Sequence, residues 1–483
     1  METIHLKSVD PVSQELLRSA ARRGIKLNWE RYEHQQPQDG FARLGLSCPV
    51  GCLQGPCRID PGRRGAQKGI CGLAGDGMAA AFLLRLAQQG LLSALAGRNR
   101  FLAPEIAWPA ALAPLAASAV TALGGKPLFL SEVSETSALL TRPSEAPENL
   151  LKKALRLGLM AVALAGETMA PVPDHGLPFR VGYGLLGGGK INIGVAGNPQ
   201  RDLILALVEK LKADAESPVQ LLSLGDWIPL EGAYLPIVCT SGEAELAVSS
   251  GNISVVLAGP EAEPSLAELC RTLELPFLRA SDTAGSTDEI LKRAISSVSH
   301  GMTLDPALVA EAGVSGSPIE GLRGIEKLAL IGGADDLRHS LGYLPVELAF
   351  ALAGREFAVG AWGDAALWMT KNACAAPDRG KPALILDHDN GPLTVIAALE
   401  AEGRLGALGG VCFTGLKNCE ELAFALGLAA LGTKVCLAVP LPIWGSEPVR
   451  DLLREILAGQ GGGLTHFDHP ALLSELVSWF TGN

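Results

Sequence analysis

The sequence predicts an α/β protein: a helical first third with a cysteine-rich loop, then two α/β units on buried parallel sheets. Three observations predict it. Before Gly184, apolar residues fall at helical spacing or in Ala- and Leu-rich runs cut by proline, with no strand-type alternation. From Gly184 onward, short continuous apolar runs alternate with helical stretches, as in parallel strands buried on both faces. The 483 residues, 48% hydrophobic and 19% charged, suffice for roughly three ordinary domains.

Each element has a local reason. Asp10-Pro11 pairs an N-cap with proline at the first helical position and opens a helix ending near Gly24. Residues 30–72 are rich in Gly, Pro, Gln and Cys and read as loop. Asp76 then caps a helix from Met78 to near Leu95, with Phe82, Leu83, Leu86, Leu91, Leu92 and Leu95 at helical spacing. The uncharged run from Ala107 to Leu123 is broken by Pro109 and Pro114, so we expect a buried helix or loop, with no membrane insertion. Further helices fill residues 104–170. Strands are expected at Ile191–Ala196, Gln220–Leu224, Ile253–Ala258, Leu328–Ile331, Phe357–Ala361, Ala383–Leu386 and Lys434–Ala438. Helices are expected at Arg201–Ala213, Val346–Ala353, Asp364–Lys371 and Glu447–Leu457. A Gly- and Ser-rich break at Gly313–Gly324 divides the α/β part, giving expected domains 1–185, 186–322 and 323–483.

The formal charge of −11 and the 5% aromatic content argue against a nucleic-acid surface or an anionic membrane as partner. The first residues, Met1 to Lys7, carry no basic segment followed by an apolar run, so we expect a cytoplasmic chain. Ten cysteines are too few for a disulfide scaffold, and four of them lie between positions 48 and 71. The others, Cys239, Cys270, Cys374, Cys412, Cys419 and Cys436, form no closely spaced pair and read as buried free thiols.

Cys48, Cys52, Cys57 and Cys71 stand on a Gly- and Pro-rich loop that can wrap a metal group. Thiolates are soft ligands, and both iron–sulfur clusters and tetrahedral zinc accept four of them. Zinc sites usually present two short Cys-x2–4-Cys knuckles, whereas Cys71 stands alone after a long gap, which favours iron and sulfide.

The run Cys52-Leu-Gln-Gly-Pro-Cys57-Arg-Ile-Asp-Pro, with Ser8-Val-Asp-Pro, Trp29-Glu-Arg-Tyr and Gln36-Pro-Gln before it, resembles the N-terminus of nickel–iron carbon monoxide dehydrogenases. Lys190 to Pro199 and Pro440-Leu-Pro-Ile-Trp-Gly-Ser446 resemble that family's middle-domain opening and last-domain loop. The resemblance implies a helical domain followed by two Rossmann-like, doubly wound α/β domains. It also implies that Cys48, Cys52, Cys57 and Cys71 hold one electron-relaying 4Fe–4S cluster, with one extra residue between the first two. It further implies a homodimer, in which each relay cluster lies near the neighbour's catalytic site, or a redox partner subunit.

The departures matter as much. The family's bridging cluster uses a cysteine pair where this chain has Asp39 and Ser47. Its catalytic nickel–iron–sulfur cluster takes one His and several Cys from turns that here read Ala196-Gly-Asn198, Ala258 to Glu263, Gly332 to Asp335, Trp362-Gly-Asp364 and Leu386 to Asn390. None of these carries a thiol. The His-rich stretch that serves proton transfer in the family is also missing after the helix ending near Leu95. We therefore expect an iron–sulfur subunit that keeps one 4Fe–4S cluster for electron relay or structural support and lacks the nickel–iron site; the alternative is an oxidoreductase acting on CO or another small molecule at a remodelled site.

Two weaker signals remain. Gly184 to Ile191 nearly spells a phosphate-binding loop, but no Ser or Thr follows Lys190 and the glycines precede a strand, so a linker is expected. Asp364, His388 and Asp389 fall at the carboxyl ends of expected parallel strands, where α/β sheets bind ligands. They are candidates for a hard metal or small-molecule site, or else plain helix caps.

Overall fold

A computed structural model of the chain describes residues 6–35, 46–50, 52–60, 64–97, 108–167, 176–214, 216–281, 286–297, 301–315, 324–375, 384–388, 391–467 and 469–482. The first helix spans Pro11–Arg22, with Asp10 Oδ1 accepting from the Val12 N–H at 3.1 Å. The cysteine loop is closed by a two-residue antiparallel pair, β1 (Leu46–Ser47) and β2 (Arg58–Ile59), which the sequence reading missed. Behind it runs a helix, Gly75–Gly97, whose first turn contains Asp76 rather than being capped by it.

That helix packs with Pro147–Glu167 and with Cys419–Ala430, which comes from the last third of the chain. Glycines let the three approach at backbone distance. A Cβ on Gly158 would stand 2.6 Å from the Gly427 nitrogen, one on Gly427 2.2 Å from the Gly158 oxygen, and one on Gly90 1.9 Å from the Cys419 oxygen. Backbone cannot yield as a flexible side chain does. Gly158→Ala is therefore expected to destabilise by about 3 kcal/mol, at the upper end for an overpacked core. Urea unfolding followed by circular dichroism checks this; an unchanged midpoint would mean that the helices separate freely. Gly75–Ala96 is long and apolar enough to cross a membrane, and here it lies within this helical core.

The middle part holds β3 (Leu177–Val181), β4 (Ile191–Ala196), β5 (Val219–Ser223), a short hairpin of β6 (Pro229–Leu230) and β7 (Ala233–Tyr234), β8 (Ile253–Ala258), β9 (Phe277–Arg279) and β10 (Ala310–Val314). The sheet order is β5-β4-β8-β9, all parallel. Strands β3 and β10 form an antiparallel pair, linked to β5 through Ile237, which bridges both Val181 and Ser223. Two expectations are corrected here. The part before Gly184 does contain a strand, and Gly313 lies in β10 rather than in a linker; residues 316–323 of that expected break fall outside the described residues.

The last part holds β11 (Leu328–Gly332), β12 (Ala358–Ala361), β13 (Leu384–Ile385), β14 (Leu408–Phe413), β15 (Lys434–Leu437) and β16 (Gly463–His466). Their order, β13-β12-β11-β14-β15-β16, is the 3-2-1-4-5-6 arrangement of a doubly wound sheet, with every neighbour parallel. Besides β1, β2 and the short β6–β7 hairpin, five strands escaped the sequence reading. β3 and β10 are edge pieces, β9 and β16 are short, and Gly409-Gly410 disguises β14 as a turn. The glycines are required there: a Cβ on Gly410 would strike the Trp479 ring at 2.4 Å.

In both sheets the strand order reverses beside the first strand, between β4 and β8 and between β11 and β14. Ligands bind at such reversals, outside the carboxyl ends of the strands. The two sets of carboxyl ends face one another across a shared crevice.

Candidate functional site

Two sites stand at opposite ends of the helix Gly75–Gly97. The cysteine loop lies at its N-terminal end and Ala94, near its C-terminal end, lines the crevice. At 1.5 Å per residue, about 28 Å of helix separates Gly75 from Ala94.

The loop gathers all four expected cysteines. The Cys48 N–H donates to the Cys57 carbonyl at 2.9 Å, and the Ile70 N–H reaches the Cys57 sulfur at 3.4 Å. A Cβ on Gly69 would lie 3.4 Å from that sulfur, so the turn before Cys71 passes close beside Cys57. Burial, and then the nearby sulfurs of Cys57, Cys71 and Cys52, push the Cys48 thiol up, while the Val50 N–H works the other way. Repulsion of this kind is relieved when thiolates share a cation. The Arg85 guanidinium holds the Pro49 carbonyl, and the start of the helix adds its partial positive charge beside the sulfurs. Leu53 and Ile70 are exposed around the loop.

Among the described residues, no three His, Cys, Asp or Glu side chains converge closely enough to ligate a single metal ion. A cubane cluster holds each thiolate on a different iron, so its four donors stand farther apart than the ligands of one ion. The four-sulfur donor set suits that larger group. Of the positions expected to lack bridging thiols, Ser47 lies in β1 and Asp39 falls outside the described residues. Cys239, Cys270, Cys412 and Cys436 are buried and Cys419 is half-buried; Cys412 and Cys436 are neighbours across β14 and β15.

The crevice is a cavity of about 370 Å³. Tight glycine turns bring its walls together, with Gly197 at φ 76°, Gly333 at 90° and Gly363 at 63°. Asp364, in the first turn of the helix Gly363–Ala375, is buried. Its Oδ2 accepts from the Ser241 hydroxyl at 2.6 Å and the Asp335 N–H at 3.3 Å, which ties the two sheets together. Asp335 also accepts from the Trp368 indole at 2.6 Å and from the Thr240 hydroxyl; burial and then Asp364 raise its carboxyl well above the usual range. His388 stacks on Trp227, centroids 6.0 Å apart, and Asp389 falls outside the described residues.

The sequence reading did not single out Asp226, Lys417 or Glu421, which also line the cavity, and Glu261 only as part of a turn. Asp226 accepts from the Asn198 N–H at 2.9 Å, and Glu261 from the Asn198 side chain at 3.4 Å. Glu421 accepts from the Lys417 N–H at 2.6 Å, and burial raises its carboxyl to about 7. One signal for Glu421 was available: Asn418 followed by Glu420-Glu421 marks a helix start, and Asn418 Oδ1 does accept from both N–H groups.

No protein-family model matches the sequence. Carbon monoxide dehydrogenase 1 of Methanosarcina mazei is 48% identical over 89 residues, 18% of this chain and 14% of that protein. Carbon monoxide dehydrogenase 1 of Carboxydothermus hydrogenoformans is 46% identical over 83 residues, 17% of this chain and 13% of that protein. The solved structure of carbon monoxide dehydrogenase IV from Carboxydothermus hydrogenoformans superposes with a TM-score of 0.78 at 19% identity, over 99% of both chains. The chain is similar in sequence to carbon monoxide dehydrogenases over about a fifth of its length and shares the fold of their solved structures. A nickel-free carbon monoxide dehydrogenase from Thermococcus sp. AM4 gives 0.75 at 20% identity, over 99% of this chain and 97% of that one. The expected fold of helical part and Rossmann-like sheets is thus that of these solved structures. The aligned stretches of the curated carbon monoxide dehydrogenases are a small fraction of their length, while the fold is shared end to end.

Proposed function

We propose that the chain is an iron–sulfur subunit of carbon monoxide dehydrogenase type, with one 4Fe–4S cluster on Cys48, Cys52, Cys57 and Cys71 and no nickel–iron centre. The observation that carries this reading is the contrast between the two sites: four thiols gathered on one loop, and Ala196, Asn198, Ala334 and Asp364 on the crevice turns. A bound cluster would supply one-electron transfer at the loop. The chain's own residues do the rest. Four sulfurs bind it, Arg85 and the helix start offset its negative charge, and Leu53 and Ile70 leave an apolar rim exposed. The exposed apolar rim of the loop is where an electron partner can approach the cluster. Relay therefore runs to a second copy or a redox partner subunit docked at the loop, in the cytoplasm. Proposed domains are 1–185, 186–322 and 323–483.

The alternative, an oxidoreductase at the crevice, is favoured by one observation, the carboxyl of Glu421 poised at about 7 inside a cavity of ligand size. Metal analysis separates the two. Anaerobically purified protein is expected to hold about four iron and four sulfide and no stoichiometric nickel per chain. Stoichiometric nickel, or iron near eight, would overturn the proposal.

A further inference from the structure

We propose that the crevice between the two sheets binds a small organic ammonium ion, held by Asp226, Glu261 and Glu421 against the aromatic wall of Trp362, Phe413 and Phe424. All six residues line the cavity of about 370 Å³, ample for a molecule of several heavy atoms. The charge on its wall is unbalanced. Among the described residues the only lysine there is Lys417, 3.8 Å from Asp226, and burial would lower its ammonium. Asp226, then Asp364, Glu261 and Glu421, outweigh that burial and hold the ammonium above its ordinary value, so four carboxylates bear on one cation. Glu420 adds a further acid, and among the described residues Arg201 and His388 are the other basic groups lining the space.

A second observation is independent of the acids. Trp227 lines the same cavity and is 8% exposed, yet its indole N–H has no partner among the described residues. A buried donor of this kind costs free energy unless something accepts from it. A ligand that also carries an oxygen could accept from this donor once seated beside Trp227. Aromatic faces with flanking carboxylates suit an organic cation, because the ring quadrupole attracts a diffuse positive charge. A hard divalent ion instead needs several oxygens converging at short distance. Here the carboxylates are spread over separate turns, and no ion-sized group of ligands is formed among the described residues.

Glu421 gives the binding a pH signature. Asp364 and Glu420 raise its carboxyl beyond what burial does, while the Lys417 N–H and ammonium lower it, leaving it at about 7. Asp226 and Glu261 act on the same Lys417 ammonium as Glu421 does. A bound cation favours the ionised carboxylate, so binding expels a proton below pH 7 and strengthens as pH rises.

Calorimetric titration of the full chain with choline and ethanolamine tests this, with tetramethylammonium, acetate and magnesium as comparators. Choline keeps its charge at every pH. Its affinity is expected to rise about tenfold between pH 6 and 8, and this dependence is lost in Glu421→Gln. Asp226→Asn weakens binding at both pH values, and Trp227→Phe removes the advantage of choline over tetramethylammonium. Iron content and circular dichroism of each variant distinguish a lost ligand from a lost fold or cluster. Absence of saturable binding of both amines, or saturable binding of magnesium or acetate in their place, overturns the proposal.

Discussion

A Cys57→Ser variant, purified without oxygen, is expected to lose most of its iron while keeping its far-ultraviolet dichroism. Cys57 is the residue on which the loop closes. Its carbonyl takes the Cys48 N–H, and its sulfur takes the Ile70 N–H and packs under Gly69. Serine keeps the backbone bonds and substitutes a protonated, hard oxygen for a soft thiolate, so the change falls on the metal alone. The helical core behind the loop does not contain the cluster, which is why helix content survives. Because binding and ordering of such a loop are coupled, protease cleavage within residues 48–72 should accelerate in parallel. Full iron retention would remove Cys57 from the ligand set.

The second large effect is at Lys371. Its ammonium is buried between Glu243 Oε2 at 2.7 Å and Asp10 Oδ2 at 3.0 Å, and it lies 4.3 Å from the centre of the Trp368 ring. Burial alone would lower it; Glu243 and Asp10 hold it above its ordinary value. Asp10 begins the first helix, Glu243 precedes the helix Ala244–Ser249 beside the middle sheet, and Lys371 belongs to the last part, so this triad staples three segments. Lys371→Met leaves two buried carboxylates without their cation. The expected loss is about 3–5 kcal/mol in urea unfolding, since breaking a buried pair costs more than the pair contributes. Adding Glu243→Gln should restore part of it, because fewer uncompensated charges remain. A single-variant loss below about 1 kcal/mol would show that water reaches the triad.

The fold class and the cysteine loop were legible because both rest on residues near in sequence. Apolar runs announce parallel strands wherever both faces are buried, and β4, β8, β11 and β15 lie close to their expected positions. Four thiols within one loop carry their chemistry in the chain itself, whatever surrounds them. Asp364 and His388 were named from the sequence as strand-end positions, and both line the crevice.

The crevice was not legible in the same way. Asn198, Asp226, Glu261 and the segment from Lys417 to Glu421 come from separate stretches of chain at the ends of two sheets. Glu421 acquires a carboxyl near 7 only when packing removes water and sets Asp364 and Glu420 beside it. The helix Cys419–Ala430 was not singled out in the sequence; tertiary packing seated it against the helical first third through Gly90, Gly158 and Gly427. Sequence determined which segments bury apolar surface and where soft ligands cluster, because those depend on side-chain type and local spacing. Tertiary structure decided which distant charges share a space without water, because electrostatic energy depends on separation and solvation, and neither is set until the sheets face each other.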